Sequence, residues 1–228
     1  MIMKTHYFIS LTFFCIFLCS CSGMYDNINS YYSEGETNYI AKVESVSTNA
    51  GHNRVQITWK VNTDPRIKNL YVTWDDGAHE TTVPIDVSCL DNNRYYTVIL
   101  EPVEEGQHIF KLYHTGNGDM SVPTEAESSS YGAQYEATLT PRLIRSVTSG
   151  NGKVTIQWRS IVENCEVEIT YSNDGGNTSK KAVSPSELST VIEDALPGGS
   201  FSYVSTYLPE EGAIDTFVIE SGTLYFPE

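Results

Sequence analysis

The chain has 228 residues, 40% of them hydrophobic, and a formal net charge of −15 at pH 7. Without residues 1–20, whose only charged side chain is Lys4, 13 basic side chains face 29 acidic ones, a net charge of −16. A surface this acidic repels phosphate backbones and anionic lipid headgroups, because binding to either depends on Lys and Arg. We therefore expect no nucleic-acid partner, and any attachment to a membrane has to be hydrophobic.

The first twenty residues predict a secretory signal that ends in a lipid-modified cysteine. The stretch 7–20 is rich in Phe, Ile, Leu and Cys and matches the hydrophobic region of a signal peptide. Its fourteen residues are too few to span a bilayer, which needs about 20. The run Leu18-Cys19-Ser20-Cys21 resembles the lipobox of bacterial lipoproteins. This resemblance implies a signal peptide over 1–20 and acyl chains, such as palmitate, on Cys21; an ordinary signal with an incidental cysteine is the alternative.

The resemblance also implies an address in the cell envelope. Each buried CH₂ of an acyl chain contributes about 0.8 kcal/mol, and stable anchoring needs two or more chains. Ser22 follows the lipidated position, where Asp would indicate retention in the inner membrane, so we expect the outer membrane. Exposure on the cell surface and exposure to the periplasm both stay open. Residues 21–38 have no periodicity and read as a flexible tether of about 20–25 Å.

The rest of the chain contains one pattern twice. The segment Arg54–Trp59 reads Arg-Val-Gln-Ile-Thr-Trp, and Lys153–Trp158 reads Lys-Val-Thr-Ile-Gln-Trp. Further matches follow in the same order: Leu70–Gly77 with Val167–Gly175, Glu105–Phe110 with Gly198–Tyr203, and Thr138–Leu139 with Thr223–Leu224. Conserved order indicates one fold used twice. The first copy carries its largest excess over 114–134, a Gly-, Ser- and Glu-rich stretch predicted to be a long final loop.

The alternation of apolar and polar residues predicts strands. Val55, Ile57 and Trp59 alternate with polar neighbours, so that one face is buried and the other is solvated. Asp76-Gly77 and Asp174-Gly175 predict hairpin turns after the third strand of each copy. About seven short strands in each copy are typical of a β-sandwich, and no amphipathic helix is evident. We predict an all-β chain of two tandem immunoglobulin or fibronectin type III-like sandwiches, residues 39–141 and 142–228.

Two family resemblances agree with this architecture. A Trp that ends the second strand, an aromatic residue that ends the third, and Leu196-Pro197-Gly198 before the sixth resemble fibronectin type III modules. The opening Glu34-Gly35-Glu36-Thr37 is similar to that of a Bacteroidetes family of lipoproteins for which no activity is established. That similarity covers residues 34 to about 145 and includes Asp64-Pro65-Arg66 and Tyr131-Gly132. It implies the fold and the location in the cell envelope, but it implies no binding or enzymatic activity.

The aromatic residues supply the candidate ligand-binding positions. Trp59 and Trp158 lie on the inward parity of their strands and are predicted to fill the two cores. Trp74 and Tyr171 end the third strands beside a turn; packing is the favoured interpretation, and a partly exposed ring that stacks on a sugar is the alternative. Tyr95 and Tyr96 follow no pattern; incidental exposure is the favoured interpretation, and a binding surface, where exposed tyrosines are frequent, is the alternative. Four residues are therefore candidates for ligand binding: Trp74, Tyr95, Tyr96 and Tyr171.

The other polar motifs predict neither a metal site nor a catalytic site. The turns that contain Asp75-Asp76-Gly77 and Asn173-Asp174-Gly175 offer fewer oxygen ligands than calcium needs. The pairs Glu104-Glu105 and Glu210-Glu211 are adjacent in sequence, whereas glycoside hydrolysis requires two carboxylates that face each other. The remaining titratable side chains carry no metal-binding or nucleophile motif: His52, His79, His108 and His114 are predicted to be solvated, and Cys89 and Cys165 to be free and buried, with a disulfide between them as the alternative.

We therefore expect no cofactor and no enzymatic activity. The leading hypothesis is a noncatalytic outer-membrane lipoprotein that acts as a binding or presentation module, most plausibly in the capture of extracellular polysaccharide. The alternative is a structural spacer or a subunit of an envelope complex with a membrane protein partner. A glycoside hydrolase is the remote alternative.

Overall fold

The computed structural model describes residues 39–228, and Ile40–Glu228 form one compact unit. The predicted signal peptide, the lipid attachment at Cys21, the tether and the Glu34–Thr37 motif lie outside the described residues. Among residues 39–228, no helix is long and apolar enough to cross a bilayer.

The first half of the described chain is an antiparallel sandwich. One sheet has the order β1-β2-β5, and the other has the order β4-β3-β6, with β7 and β8 both paired to β6. The strands are β1 (Glu44–Ala50), β2 (Val55–Lys60), β3 (Asn69–Trp74), β4 (His79–Pro84), β5 (Tyr95–Leu100), β6 (Gly106–Gly116), β7 (Asp119–Met120) and β8 (Thr124–Ser130). One-turn 3-10 helices lie at Asp75–Gly77 and Val87–Cys89.

The second half repeats this topology after one short helix, α1 (Ala133–Thr138). Its sheets have the orders β9-β10-β13 and β12-β11-β14, with β15 and β16 both paired to β14. The strands are β9 (Ile144–Gly150), β10 (Lys153–Trp158), β11 (Cys165–Ser172), β12 (Thr178–Val183), β13 (Ser189–Ile192), β14 (Ser200–Tyr207), β15 (Phe217–Glu220) and β16 (Leu224–Tyr225).

In both halves the first, second and fifth strands form one sheet, and the third, fourth and sixth strands form the core of the other. This is the strand order of fibronectin type III-like sandwiches, which confirms the predicted fold class. Each sandwich has its own hydrophobic core, centred on Trp59 in the first and Trp158 in the second. Both indoles are buried, as their inward parity predicts. The predicted boundary at residue 141 lies between β8 and β9 and stays a prediction.

The two predicted hairpin turns are confirmed. Asp75 and Asp76 adopt φ values of 54° and 53°, and this left-handed backbone brings Trp74 opposite His79 in the ladder. In the second sandwich the turn closes Ser172 opposite Thr178, and Gly176 supplies the positive φ of 76°. Asn, Asp and Gly tolerate this conformation better than other residues, so these turns set the register of the strands they join.

The predicted long loop over residues 114–134 is wrong, because most of it is strand. β6 continues to Gly116, turns at Asn117-Gly118, and returns as β7 and β8 along its own edge. The Ser- and Glu-rich composition conceals an alternation in β8, where half-buried residues alternate with exposed Glu125 and Glu127. An edge strand with one solvated face needs few large apolar residues. For this reason the composition of residues 114–134, taken alone, predicts a loop.

The predicted match between Thr138-Leu139 and Thr223-Leu224 is also wrong. Thr138 ends α1 and Leu139 packs against the core of the second sandwich, whereas Leu224 lies in β16 opposite Phe201. Helix α1 begins where the Glu105 carboxylate accepts hydrogen bonds from two backbone amides at 2.7 and 2.6 Å, those of Gln134 and Tyr135. A six-residue helix capped by a side chain distant in sequence gives no amphipathic signal of its own.

Candidate functional site

A concavity lies on the outer face of the β3-β6-β8 sheet in the first sandwich. It consists of two adjoining depressions of about 540 and 300 Å³, which share Gln107 and Ile109. We call these two depressions together the groove. The inner depression is lined by Thr48, Gln107, His108, Ile109, Glu127, Ser128, Ser129 and Glu210. The outer depression is lined by Thr73, Trp74, Asp75, Asp76, Gly77, Gln107, Ile109, Lys111 and Glu125.

Strand periodicity places the central side chains of the groove. Gln107, Ile109 and Lys111 point outward from β6 because they alternate with buried residues of the core. The register sets Ile109 opposite Glu127 and Lys111 opposite Glu125 on β8. Ile109 is 51% exposed, an apolar ridge between the two depressions. An isoleucine on the polar parity of a strand is a sequence signal that points to this surface.

The groove is acidic. Its lining includes five carboxylates, Asp75, Asp76, Glu125, Glu127 and Glu210, against the single ammonium of Lys111. Lys111 Nζ lies 3.9 Å from Glu125 Oε1, so this cation is already partly engaged. Carboxylates accept hydrogen bonds and repel anions. The electrostatics therefore favour a neutral, hydroxyl-rich or cationic ligand over an acidic one.

A buried histidine supports the base of the groove. Nδ1 of His108 lies 2.8 Å from Asp75 Oδ1, and Nε2 lies 2.8 Å from the carbonyl oxygen of Glu104. These contacts hold the Asp75 turn against β6. The prediction that all four histidines are solvated is wrong for His108 and His114, which are both buried. Both lie on the inward parity of β6. Both ring nitrogens of His108 have hydrogen-bond partners, whereas only Nδ1 of His114 has one.

The four candidate ligand-binding aromatics do not converge on one site. Trp74 and Tyr171 are buried, 8% and 7% exposed, in different sandwiches. The imidazole of His79 stacks on Trp74, with ring centroids 5.3 Å apart, so the indole presents no free face to a sugar. Tyr96 packs against Trp59 at 5.2 Å between ring centroids, and Tyr95 is half-buried next to it on β5. Of the four, only Trp74 lines the groove, at its rim.

The second sandwich contributes to this region through one loop, residues 208–216 between β14 and β15, which we call the latch loop. Asp215 accepts hydrogen bonds from Nε and Nη2 of Arg54 at 2.8 and 2.6 Å, and from the His52 backbone N–H at 2.8 Å. The Ile214 N–H donates to the carbonyl oxygen of Ala50 at 2.8 Å. Hydrogen bonds from Arg54 hold the pKa of Asp215 below its usual range. No motif or periodicity in residues 208–216 predicts these contacts.

Aromatic rings complete the junction between the two sandwiches. The His52 ring lies 5.0 Å from Phe217, and Phe217 lies 5.0 Å from Tyr135 of α1, measured between ring centroids. The Tyr131 hydroxyl donates to Glu210 Oε2 at 2.9 Å. The latch loop is thereby tied to the first sandwich by charge, by backbone hydrogen bonds and by packing.

Arg142 is a structural residue that no sequence motif marks. It is 2% exposed, and its guanidinium donates to the carbonyl oxygens of Ser184, Ser160 and Glu187 at 3.0, 3.1 and 2.7 Å. The guanidinium carbon lies 5.1 Å from the ring centroid of Trp158. Arg142 thus joins three loops over the indole of the second core, a cation–π contact in a buried position.

The structure bears on the predictions for the two cysteines, for metal binding and for catalytic carboxylates. Cys89 and Cys165 are both free, as expected, but only Cys165 is buried; Cys89 lies exposed in a one-turn helix, so its predicted burial is wrong. Within the described part of the chain, no cluster of His, Cys, Asp and Glu has the proximity to hold a metal ion. Among the described carboxyls, hydrogen bonds from neighbouring side chains lower the pKa of Asp64, Asp86 and Asp215, whereas a general acid needs a raised pKa.

Several solved structures are similar to this chain at low sequence identity. They include the FN1–FN3 domains of chicken CNTN1 (15% identity, 82% of this chain, 67% of that chain, TM-score 0.47) and a two-domain fibronectin type III segment of chicken tenascin (16%, 81%, 99%, 0.34). The chicken interferon gamma receptor alpha chain also matches (12%, 83%, 100%, 0.33). These superpositions are loose, and the strand order given above defines the fold.

No curated protein matches the chain. A family model does match, over residues 21–217, and therefore over both sandwiches except the last strands. Because this match spans most of the chain, it shows the family. The protein belongs to the DUF4998 family, described as a domain of unknown function.

Proposed function

We propose that this protein is a noncatalytic lipoprotein of the outer membrane, anchored through Cys21, that captures extracellular glycan in the groove of its first sandwich. The single observation that carries the proposal is the pair of adjoining depressions that meet at Ile109, with carboxylates and hydroxyls in the lining of both. Carboxylates accept hydrogen bonds from sugar hydroxyls, and an exposed aliphatic side chain packs against the C–H face of a sugar ring. The acidic lining selects neutral polysaccharides over uronate or sulfate polymers.

The proposed binding residues differ from the four aromatic residues predicted from the sequence. Ile109 replaces Trp74 as the apolar platform, since His79 already covers the indole. Gln107, Glu127 and Ser129 replace Tyr95 and Tyr96 as the polar contacts.

Affinity electrophoresis of the full chain in detergent tests this function. Gels contain a neutral polysaccharide (xyloglucan, laminarin or mannan) or an acidic one (polygalacturonate or chondroitin sulfate). We expect at least one neutral polymer, and neither acidic polymer, to retard the protein. Ile109→Ser and Glu127→Gln should each weaken retardation by about tenfold, or 1.4 kcal/mol.

Val218→Ser is the matched control, because Val218 is 53% exposed on β15 of the second sandwich and lies outside the lining of the groove. Retardation by none of the neutral polymers, or equal losses for Ile109→Ser and Val218→Ser, would refute glycan capture in the groove. Protease shaving of whole cells tests the address, since a protein that faces the periplasm is protected and cannot bind external glycan.

A spacer or complex subunit is a second candidate, and the junction between the sandwiches favours it. Charge, backbone hydrogen bonds and ring contacts at one junction suit a module that holds a partner at a fixed distance from the membrane. Affinity capture from solubilised membranes separates the two functions. A stoichiometric protein partner that survives Ile109→Ser supports the spacer.

A further inference from the structure

The groove of the first sandwich includes one residue from the second. Thr48, Gln107, Glu127 and their neighbours in the inner depression belong to β1, β6 and β8, but Glu210 belongs to the latch loop. The carboxylate of Glu210 is fixed by the hydroxyl of Tyr131, which donates to Oε2 at 2.9 Å. The position of this wall of the groove therefore depends on the contacts of the latch loop.

Those contacts converge on the turn between β1 and β2. Arg54 and the His52 backbone N–H hold Asp215, and Ala50 holds Ile214, within five residues of Glu210 along the chain. Gly51 leaves no spare room in this turn, since a Cβ there would lie 2.6 Å from Asp215 Oδ2. Only a glycine at this position allows the latch loop to approach so closely.

The internal repeat supplies an internal comparison for the contact between Arg54 and the latch loop. Arg54 and Lys153 occupy equivalent positions, and each faces a carboxylate of its own sandwich: Glu101 at 3.8 Å and Glu193 at 2.5 Å. Asp215 engages only Arg54 of this pair. Lys153 is thus a natural control, with the same place in the fold and no link to the other sandwich.

We infer that the groove is a composite site: the latch loop, held by the contact between Arg54 and Asp215, positions Glu210 as one wall of the groove, and loss of that contact weakens ligand binding. The ligand part of this inference rests on the proposed function. The dependence of the position of Glu210 on the contact between Arg54 and Asp215 does not rest on the proposed function, and it can be measured without ligand.

The ligand-free test uses cross-linking across the inner depression. The full chain carries Ser129→Cys and Glu210→Cys, with Cys15, Cys19, Cys21 and Cys89 changed to Ser; Cys165 stays, because it is buried. A short bis-maleimide joins the two new thiols. Arg54→Met should slow cross-linking by about tenfold and Lys153→Met by less than about twofold, on the scale of one broken charge-assisted contact. Asp215→Ala, which should match Arg54→Met, guards against a folding defect specific to either variant.

The ligand test repeats the electrophoresis with the native cysteines and the neutral polysaccharide panel. Arg54→Met should weaken retardation by about tenfold and Lys153→Met should not. Equal cross-linking rates in Arg54→Met and Lys153→Met would overturn the composite groove. Unchanged retardation of Arg54→Met by the neutral polysaccharides would overturn it as well. Absence of retardation in the unaltered chain would refute glycan capture alone, since cross-linking still decides whether the latch sets the wall.

Discussion

The two core tryptophans occupy equivalent positions but differ in one hydrogen bond. Nε1 of Trp158 donates to Thr190 Oγ1 at 2.9 Å, whereas Nε1 of Trp59 is buried without a partner. The strand registers explain the difference, because Ile57 faces Val98 where Ile156 faces Thr190. The first sandwich thus has a methyl group where the second has a hydroxyl.

Exchange of these two residues should shift stability in opposite directions. Thr190→Val leaves the Trp158 N–H unpaired and should cost the second sandwich about 1–3 kcal/mol, while Val98→Thr should stabilise the first by about 1 kcal/mol. Urea unfolding gives the free energies, and hydrogen exchange at each indole N–H in NMR spectra reports the bond itself. Unchanged exchange at Trp158 in Thr190→Val would show that this hydrogen bond contributes nothing.

His114 makes the first sandwich sensitive to acid. Nδ1 donates to the Ala41 carbonyl at 2.8 Å, and Nε2 is buried without a partner, so a second proton would find no acceptor. Burial lowers the pKa of His114. In the unfolded chain this imidazole has an ordinary pKa of about 6.5. Below that pH the unfolded chain binds a proton that the folded chain does not bind, so the free energy of unfolding falls as the pH drops below about 6.5.

Urea unfolding between pH 8 and 5 tests this prediction. We expect stability to be constant above about pH 7 and to decline below pH 6.5, and His114→Leu to flatten that decline. The exposed His79 provides the control, since His79→Leu should preserve the slope. Equal slopes for all three proteins would place the acid sensitivity elsewhere.

At the scale of elements, the strands and turns that the sequence predicted are those marked by a clear residue periodicity or a turn motif. The alternation in β2 and β10 placed both tryptophans in cores, and the Asp-Gly and neighbouring residues placed both hairpins. It missed β8, because a half-solvated edge strand is built from Ser, Thr and Glu. It also missed the groove, because the groove arises from side chains of strands that meet only after the sheet has formed. His108 and Asp75 are 33 residues apart in the chain.

The turns between the first two strands of each sandwich offer a matched comparison. A Cβ on Gly51 would lie 2.6 Å from Asp215 Oδ2 and 2.8 Å from Ile214 Cγ1, whereas a Cβ on Gly150, the equivalent residue, meets nothing within 4 Å. Gly51→Ala should therefore cost about 1–3 kcal/mol by displacing the latch loop. Gly150→Ala should stay within about 0.5 kcal/mol of the unaltered chain. Thermal unfolding checks both, and equal effects would mean that the latch loop moves aside freely.

At the scale of the whole molecule, two separate cores share one junction. The duplication in the sequence predicted the cores, but no local pattern links Arg54 to Asp215, which are 161 residues apart. The latch loop has neither a repeat partner nor a periodicity. Inter-sandwich contacts of this kind depend on single side chains, which a duplicated pattern does not specify.

The junction should couple the unfolding of the two sandwiches in a pH-dependent way. The pKa of Asp215 is lowered, so its contribution is complete above the ordinary carboxyl pKa of about 4 and is lost as the pH falls toward its lower folded value. Both partners are partly exposed, so solvent screens this ion pair and the coupling it provides is modest. Differential scanning calorimetry should show one merged transition at pH 7 and two resolved transitions near pH 3. Asp215→Ala should resolve the two transitions at pH 7 already, and Lys153→Met should keep them merged. Transitions that are resolved at pH 7 in the unaltered chain, and that Asp215→Ala leaves unmoved, would show that the sandwiches unfold independently despite their shared contacts.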